Sequence, residues 1–327
     1  MFLISKTYFC DVTFLLIFLK IFNSIQSFSA NRQTIVTIGT FDGVHLGHRK
    51  IIEQITKSAQ QLNCESLVLT FFPHPRMVLQ EGSEMKQLST LDEKIKLLDE
   101  LGVDNLIVHP FDKEFSRLTA EEFVKEVLID VFNVKKIIIG YDHRFGRNRT
   151  ANIDDLITFG IAFGFDVEQI SAKEIDEVSI SSTKIRNALL EGNVEQAADY
   201  LGYNYSLTGI VSKGKQLGRT IGFPTANIKI EENYKLIPQN GVYVAKTIID
   251  EKLVYGMMNI GTRPTVDGTC QTIEINLFDF KQDIYNREIT VSLLKRMRAE
   301  QKFESIDALK MQLGIDKTKA ENYIKQL

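Results

Sequence analysis

Cysteine is scarce: the 327-residue chain carries three, Cys10, Cys64 and Cys270, widely spaced and odd in number. No CxxC pair occurs, so neither a zinc site nor a disulfide framework is indicated, and a reducing cytoplasm is the expected compartment. Glycine (20) and proline (6) are too few for a collagen-like chain, and 44% hydrophobic with 25% charged residues excludes wholesale disorder. The net charge of −3 gives no global basic excess, so nucleic acid is not an expected partner. Long apolar runs are also missing. The cleanest, 12–19, falls far short of the ~20 residues a spanning helix needs, so no membrane is expected either. Histidine is absent from the second half: His45, His48, His74, His109 and His143 all lie in the first. Proton transfer in the second half must use another residue type, and a carboxylate is expected.

What is present suggests two domains, at about 150 residues per domain. Residues 2–22 are apolar but interrupted by Lys6, Asp11 and Lys20. A cleavable signal would use Lys6 and the 12–19 run, but Asp11 sits at the edge of that run and 27–30 matches a small-x-small cleavage site poorly. We expect the native protein to begin near residues 19–22, with 1–19 an upstream start-site extension. From there, β-branched runs at 34–38, 66–71, 105–108 and 135–139 read as strands. They alternate with helical patterns at 45–62, 91–101 and 119–132, the last opened by a capping box from Thr119 to Glu122. That alternation implies a doubly wound, Rossmann-like parallel sheet binding ligands at the carboxyl ends of its strands. After a helix over 183–201 the pattern changes to short strands at 206–211, 242–248, 254–260, 272–278 and 289–294. These suggest a small antiparallel barrel closed by a helix near 305–313. The expected domains are 20–202 and 203–327. From Tyr203 onward basic residues exceed acidic ones, which suits small anionic ligands or simply a solvated surface.

Residues 39–48 (GTFDGVHLGH) follow a strand and open a helix. Gly39, Thr40, Phe41, Asp42 and Gly43 allow backbone N–H groups to approach phosphate, and the helix start adds a positive dipole end. His45 and His48 are three apart and share a face, so two imidazoles can donate to phosphate oxygens; the plainer reading is a turn with two surface histidines. No G-x-x-x-x-G-K-[ST] occurs, so this is not a P-loop. In the second half, residues 209–227 (GIVSKGKQLGRTIGFPTAN) place Gly214, Lys215, Gly218 and Gly222 in a stretch suited to a flap over polyphosphate, or to an ordinary glycine-rich connection. Thr225 and Asn227, two apart in an extended segment, point the same way, and their hard oxygens suit magnesium; the same pair also suits a turn. Residues 272–278 (TIEINLF) alternate, with Ile273, Ile275 and Leu277 on one face and Glu274 with Asn276 on the other. Glu274 therefore either faces solvent or lines a site.

The 39–48 stretch resembles the adenylyltransferase module of the bacterial bifunctional riboflavin kinase/FAD synthetases, within the nucleotidyltransferase superfamily. Residues 181–186 (SSTKIR) resemble that family's second nucleotide motif, which implies phosphate binding by Ser181, Ser182 and Thr183 and stabilisation of leaving pyrophosphate by Arg186. Residues 70–76 (TFFPHPR) and 140–147 (GYDHRFGR) match further family segments, implying flavin contacts from Pro73, His74, Asp142, Arg144 and Phe145; Phe72, Tyr141 and His143 depart from the usual residues there. Residues 222–227 (GFPTAN) resemble the riboflavin kinase signature, implying that Thr225 and Asn227 serve magnesium–ATP. The stretch after residue 271 resembles the segment that carries the kinase base, implying that role for Glu274. Residues 298–303 (RAEQKF) imply a flavin contact from Arg298. The resemblance runs from about residue 21 to the C-terminus, with its motifs in family order. It implies an enzyme that phosphorylates riboflavin to FMN and then transfers an adenylyl group to give FAD, using ATP and Mg2+, as a monomer or weak homo-oligomer. The alternatives are an enzyme with one live site, a non-catalytic flavin-binding regulator, and a class I tRNA synthetase fragment, which the lack of a K-M-S-K-S-like stretch disfavours.

Overall fold

The computed structural model describes residues 19–80, 84–141, 143–171, 180–214, 217–265 and 268–327, the side chains of 217, 219, 263–265 and 268–270 excepted. Residues 1–18 of the expected extension, Asp142 and Lys215 lie outside the described residues. The chain divides into two compact units, Met1–Ser181 and Ser182–Leu327.

In the first unit, β1 (Lys20–Phe22), β2 (Thr34–Ile38), β3 (Glu65–Phe71), β4 (Asn105–His109), β5 (Val134–Gly140) and β6 (Asp166–Ile170) form one parallel sheet in the order β1-β4-β3-β2-β5-β6. Every residue of β2 and β4 is buried, as expected for strands covered on both faces. Alternation divides the core: Val36, Ile38, Leu67, Leu69, Ile107, Ile137 and Ile139 join one cluster, while Ile35, Val68, Leu106, Val108 and Ile138 join the other. Helices α1 (Leu46–Leu62), α2 (Pro75–Leu79), α3 (Leu91–Glu100), α4 (Ala120–Glu122) and α5 (Ile153–Phe163) supply the crossovers. The Thr119 capping box forms, but α4 widens at once into π-helical turns over Phe123–Ile129. The strand order reverses between β2 and β5. The loops after these two strands therefore flank the crevice where open α/β sheets bind ligands.

The second unit begins with two helices, α6 (Ser182–Leu190) and α7 (Val194–Leu201), where periodicity predicts one. Gly192 has φ +81°, and Asn193 accepts the Gln196 N–H to restart the helix. Both helices belong to the second compact unit, although residue 202 is the expected boundary. Strands β7 (Ser206–Ser212), β8 (Ala226–Lys229), β9 (Gly241–Ile249), β10 (Lys252–Thr265), β11 (Gly268–Leu277) and β12 (Glu288–Arg298) close a barrel in the order β10-β11-β8-β7-β12-β9. A short helix, α8 (Leu217–Thr220), lies between β7 and β8.

The last helix, α9 (Ile306–Ile324), runs well past the expected end at 313. Its polar second half hides the reason, which is a buried ion pair. Asp316, with a side chain 1% exposed, accepts from Arg298 Nη2 at 2.7 Å and Nε at 3.0 Å, and from Gln312 Nε2 at 2.8 Å. Removing one partner of such a pair leaves an uncompensated charge. Asp316→Ala is therefore expected to destabilise the barrel unit by about 3–5 kcal/mol, read as a lowered urea midpoint of that unit.

Candidate active sites

The loops after β2, β3 and β5 emerge at the carboxyl edge of the parallel sheet, and the first candidate site is the turn from β2 to α1. His45 is the N-cap of α1: its Nδ1 accepts the His48 backbone N–H at 3.4 Å, so the neutral ring carries its proton on Nε2. No acidic residue occupies the first turn of α1, leaving the positive end of the helix uncompensated there. The two imidazoles stack, with centroids 3.6 Å apart and planes 17° from parallel, and Phe41 packs edge-on against His48 at 5.2 Å. His45 is 5% exposed, and His48 Nδ1 is buried without a hydrogen-bond partner among the described residues. Burial first, then the neighbouring His45 and Lys94, hold the His48 pKa well below 6.5, so it is neutral at physiological pH.

The turn is strained and braced. Phe41 and Val44 adopt positive φ (45° and 36°), a region that bulky side chains avoid. Asp42, 1% exposed, accepts from the Leu88 and Ser89 N–H groups at 2.8 and 3.3 Å, and Ser89 Oγ accepts from Gly43 N at 3.2 Å. The Thr40 carbonyl accepts from Thr70 Oγ1 at 3.2 Å and from Lys94 Nζ at 2.7 Å. Lys94 is 2% exposed, and burial, opposed by Asp42, pushes its pKa down to about 8. Keeping this ammonium charged at neutral pH costs about 3 kcal/mol at 1.36 kcal/mol per pKa unit. The backbone N–H groups of Thr40 and Phe41 make no hydrogen bond among the described residues.

Neither Lys94 nor the 88–90 brace emerges from motif reading. A signal is present nonetheless: Lys94 lies three residues after Leu91 and four before Leu98, on the apolar stripe of α3, where a lysine is out of place.

Other expected contacts fare differently. His74 is buried and accepts the Arg76 N–H at Nδ1, 3.1 Å away, capping α2, while Pro73 is exposed. Phe145 packs in the core against Phe123, with centroids 6.1 Å apart; Arg144 is exposed. Ser181 ends the first unit, and Ser182, Thr183 and half-buried Arg186 lie on the opening turns of α6.

The second candidate site lies on the barrel. Strand pairing sets Ser212, Asn227, Glu274 and Asn259 side by side across β7, β8, β11 and β10. Ile273, Ile275 and Leu277 are buried, so Glu274 lies on the opposite face, where it is half-buried rather than fully solvated. Thr225 Oγ1 donates to Glu274 Oε2 at 3.2 Å, and Asn276 Nδ2 donates to the Pro224 carbonyl at 2.7 Å, fastening the 222–225 segment over this face. A Cβ at Gly214 would collide with the Asn227 amide, and one at Gly218 with the Phe223 carbonyl. Both glycines are therefore required by close approach. Gly222, at φ +87°, makes the turn into this segment. Arg298 is committed to Asp316 and, through Nη1, to the Ala299 carbonyl at 3.0 Å; it anchors α9 to β12. Asn259 joins this row through strand register with Glu274.

Two family models match in sequence order: FAD synthetase over residues 27–184 and riboflavin kinase over residues 201–324. The chain belongs to the bifunctional riboflavin kinase/FMN adenylyltransferase family. It is 37% identical over 308 residues to such an enzyme of Escherichia coli K12, covering 93% of this chain and 98% of that one. It is 39% identical over 282 residues to one of Haemophilus influenzae, covering 86% and 91%. A crystal structure described as a macrolide-efflux protein from Streptococcus pneumoniae superposes with a TM-score of 0.85 at 32% identity, covering 92% of this chain and 98% of that one. Among the described residues no helix is long and apolar enough to cross a membrane.

The depressed His48 pKa fixes a sign. Between the folded value and 6.5 the unfolded chain binds a proton that the folded chain does not, so stability is lost as pH falls below about 6.5. His109, whose pKa burial also lowers, adds in the same direction. We expect the urea midpoint of the first unit to fall on acidification and to fall less in His48→Gln, read by parallel melts at pH 7.5 and 5.5.

Proposed function

We propose that this enzyme makes FMN from riboflavin on the barrel and FAD from FMN at the imidazole turn, each step consuming one ATP. One observation carries the reading: the chain presents two separate groupings of phosphate-handling chemistry, one built on two stacked histidines at a helix start and the other on a half-buried carboxylate beside Thr225 and Asn227.

On the barrel, Glu274 takes the proton of the riboflavin 5′-hydroxyl as its oxygen attacks the γ-phosphorus of ATP; the β–γ bridging bond breaks and ADP leaves. The Thr225 hydroxyl stabilises the carboxylate before transfer. Donating that proton leaves its oxygen lone pairs available, and with the Asn227 amide oxygen it offers the hard donors that magnesium takes. These residues fit the ion; when bound with ATP it neutralises phosphate charge. Gly214 and Gly218 let the backbone pass close to Asn227 and Phe223 beside this face.

At the turn, an FMN phosphate oxygen attacks the α-phosphorus of ATP, the α–β bridging bond breaks, and pyrophosphate leaves. Phosphate is already a nucleophile, so the protein aligns the partners and stabilises charge. His45 and His48 serve as hydrogen-bond donors to phosphate oxygens, joined by the N–H groups of Thr40 and Phe41. Ser181, Ser182, Thr183 and Arg186 are assigned to the same nucleotide on their resemblance to the family motif. FMN is assigned to the loops after β3 and β5, with Pro73 and Arg144 as its exposed contacts. A cytoplasmic location accompanies this reading.

Incubation with riboflavin, ATP and Mg2+, followed by chromatography, is expected to give FMN first and FAD second. His48→Ala should lower FAD formation about 10²–10³-fold and leave FMN formation intact. Glu274→Gln should lower FMN formation about 10²–10⁴-fold and leave FAD formation from added FMN intact. Loss of both activities in either variant contradicts the assignment.

A further inference from the structure

A buried lysine not assigned to either reaction stands directly behind the first site. Its helix, α3, opens with a complete capping box: Thr90 and Glu93 satisfy each other's N–H groups at 3.1 and 2.9 Å, so Lys94 is not needed to hold its own helix together. Its amine instead reaches 54 residues back in sequence to the Thr40 carbonyl, which also accepts from Thr70 Oγ1.

A trans peptide points its C=O and its N–H in opposite directions. Drawing the Thr40 carbonyl towards Lys94 therefore turns the Phe41 N–H away from the buried side. The N–H groups of both Thr40 and Phe41 are without a partner among the described residues. Successive unpaired N–H groups of this kind form a concavity for an anion. Electrostatics adds a second link, because the Lys94 charge bears on His48. The titratable groups coupled to the ammonium are Asp42 on the turn and His48 on α1. On its own helix, Glu93 is turned to the Thr90 N–H and Asp92 occupies the first turn.

We propose, resting on the adenylyl-transfer reading above, that Lys94 is a positioning residue of that site: its ammonium orients the Thr40–Phe41 peptide towards the ATP phosphates. Burying a charge that a methionine of similar length could replace makes sense if the charge itself is used. Its depressed pKa places its discharge within reach of an ordinary pH profile.

The test compares Lys94→Met and Lys94→Arg with wild type in the intact chain, with riboflavin phosphorylation as an internal control. Lys94→Met is expected to lower kcat for adenylyl transfer about 10–100-fold and leave phosphorylation within twofold; Lys94→Arg should recover much of the loss. Two further readouts separate positioning from mere packing. Wild-type adenylyl transfer should decline as pH rises through about 8, and this limb should vanish in Lys94→Met and move beyond the accessible range in Lys94→Arg. The His48 imidazole, followed by NMR, should titrate at higher pH in Lys94→Met because a like charge has gone. If Lys94→Met does not fold, the wild-type limb decides, with phosphorylation flat over the same range. Adenylyl transfer within twofold of wild type in Lys94→Met, an unmoved His48 titration, or no wild-type alkaline limb overturns the proposal. If His48→Ala retains adenylyl transfer, the underlying site assignment fails instead.

Discussion

A polypeptide that binds phosphate with its backbone must leave peptide N–H groups unpaired while holding them still. In the proposed adenylyl-transfer site this constraint falls on one peptide plane, whose Thr40 carbonyl is fixed by Thr70 and Lys94. The neighbouring contacts serve the same end: Asp42 is tied to the backbone of residues 88 and 89, Gly43 to Ser89, and the strained φ angles of Phe41 and Val44 persist because this surrounding network over-determines them. The parallel sheet sets the turn at the reversal of strand order, and α1 adds an uncompensated positive end.

In the proposed kinase site the barrel answers the same demand with different chemistry. Its site is spread over adjacent strands, so register rather than a single turn aligns Ser212, Asn227, Glu274 and Asn259. The reactions differ in what they require. In the proposed reactions a hydroxyl nucleophile must lose a proton, which a carboxylate can take, whereas a phosphate nucleophile has none to lose and needs only hydrogen-bond donors.

Much of this was legible beforehand, for physical reasons. Fully buried strands such as 34–38 announce themselves by β-branched runs, and the 39–48 stretch is local, so its histidines and glycines can be read in a line. The alternation of 272–278 correctly separated Glu274 from the buried isoleucines. Edge strands escaped notice because they bury little: β1 has three residues, and β6 (DVEQI) is mostly polar. Long-range partnerships also escaped. Lys94 is recognisable only once α3 packs beside the turn, and the extent of α9 depends on an Asp316–Arg298 pair that no helical pattern foretells. That pair also engages Arg298, and Phe145 packs in the core.

The central claim is that one chain holds two independent nucleotide sites. Equilibrium dialysis with a non-hydrolysable ATP analogue and magnesium measures this without any turnover. The account predicts two analogue molecules bound per chain at saturation; saturation at a single molecule, or none, would contradict it.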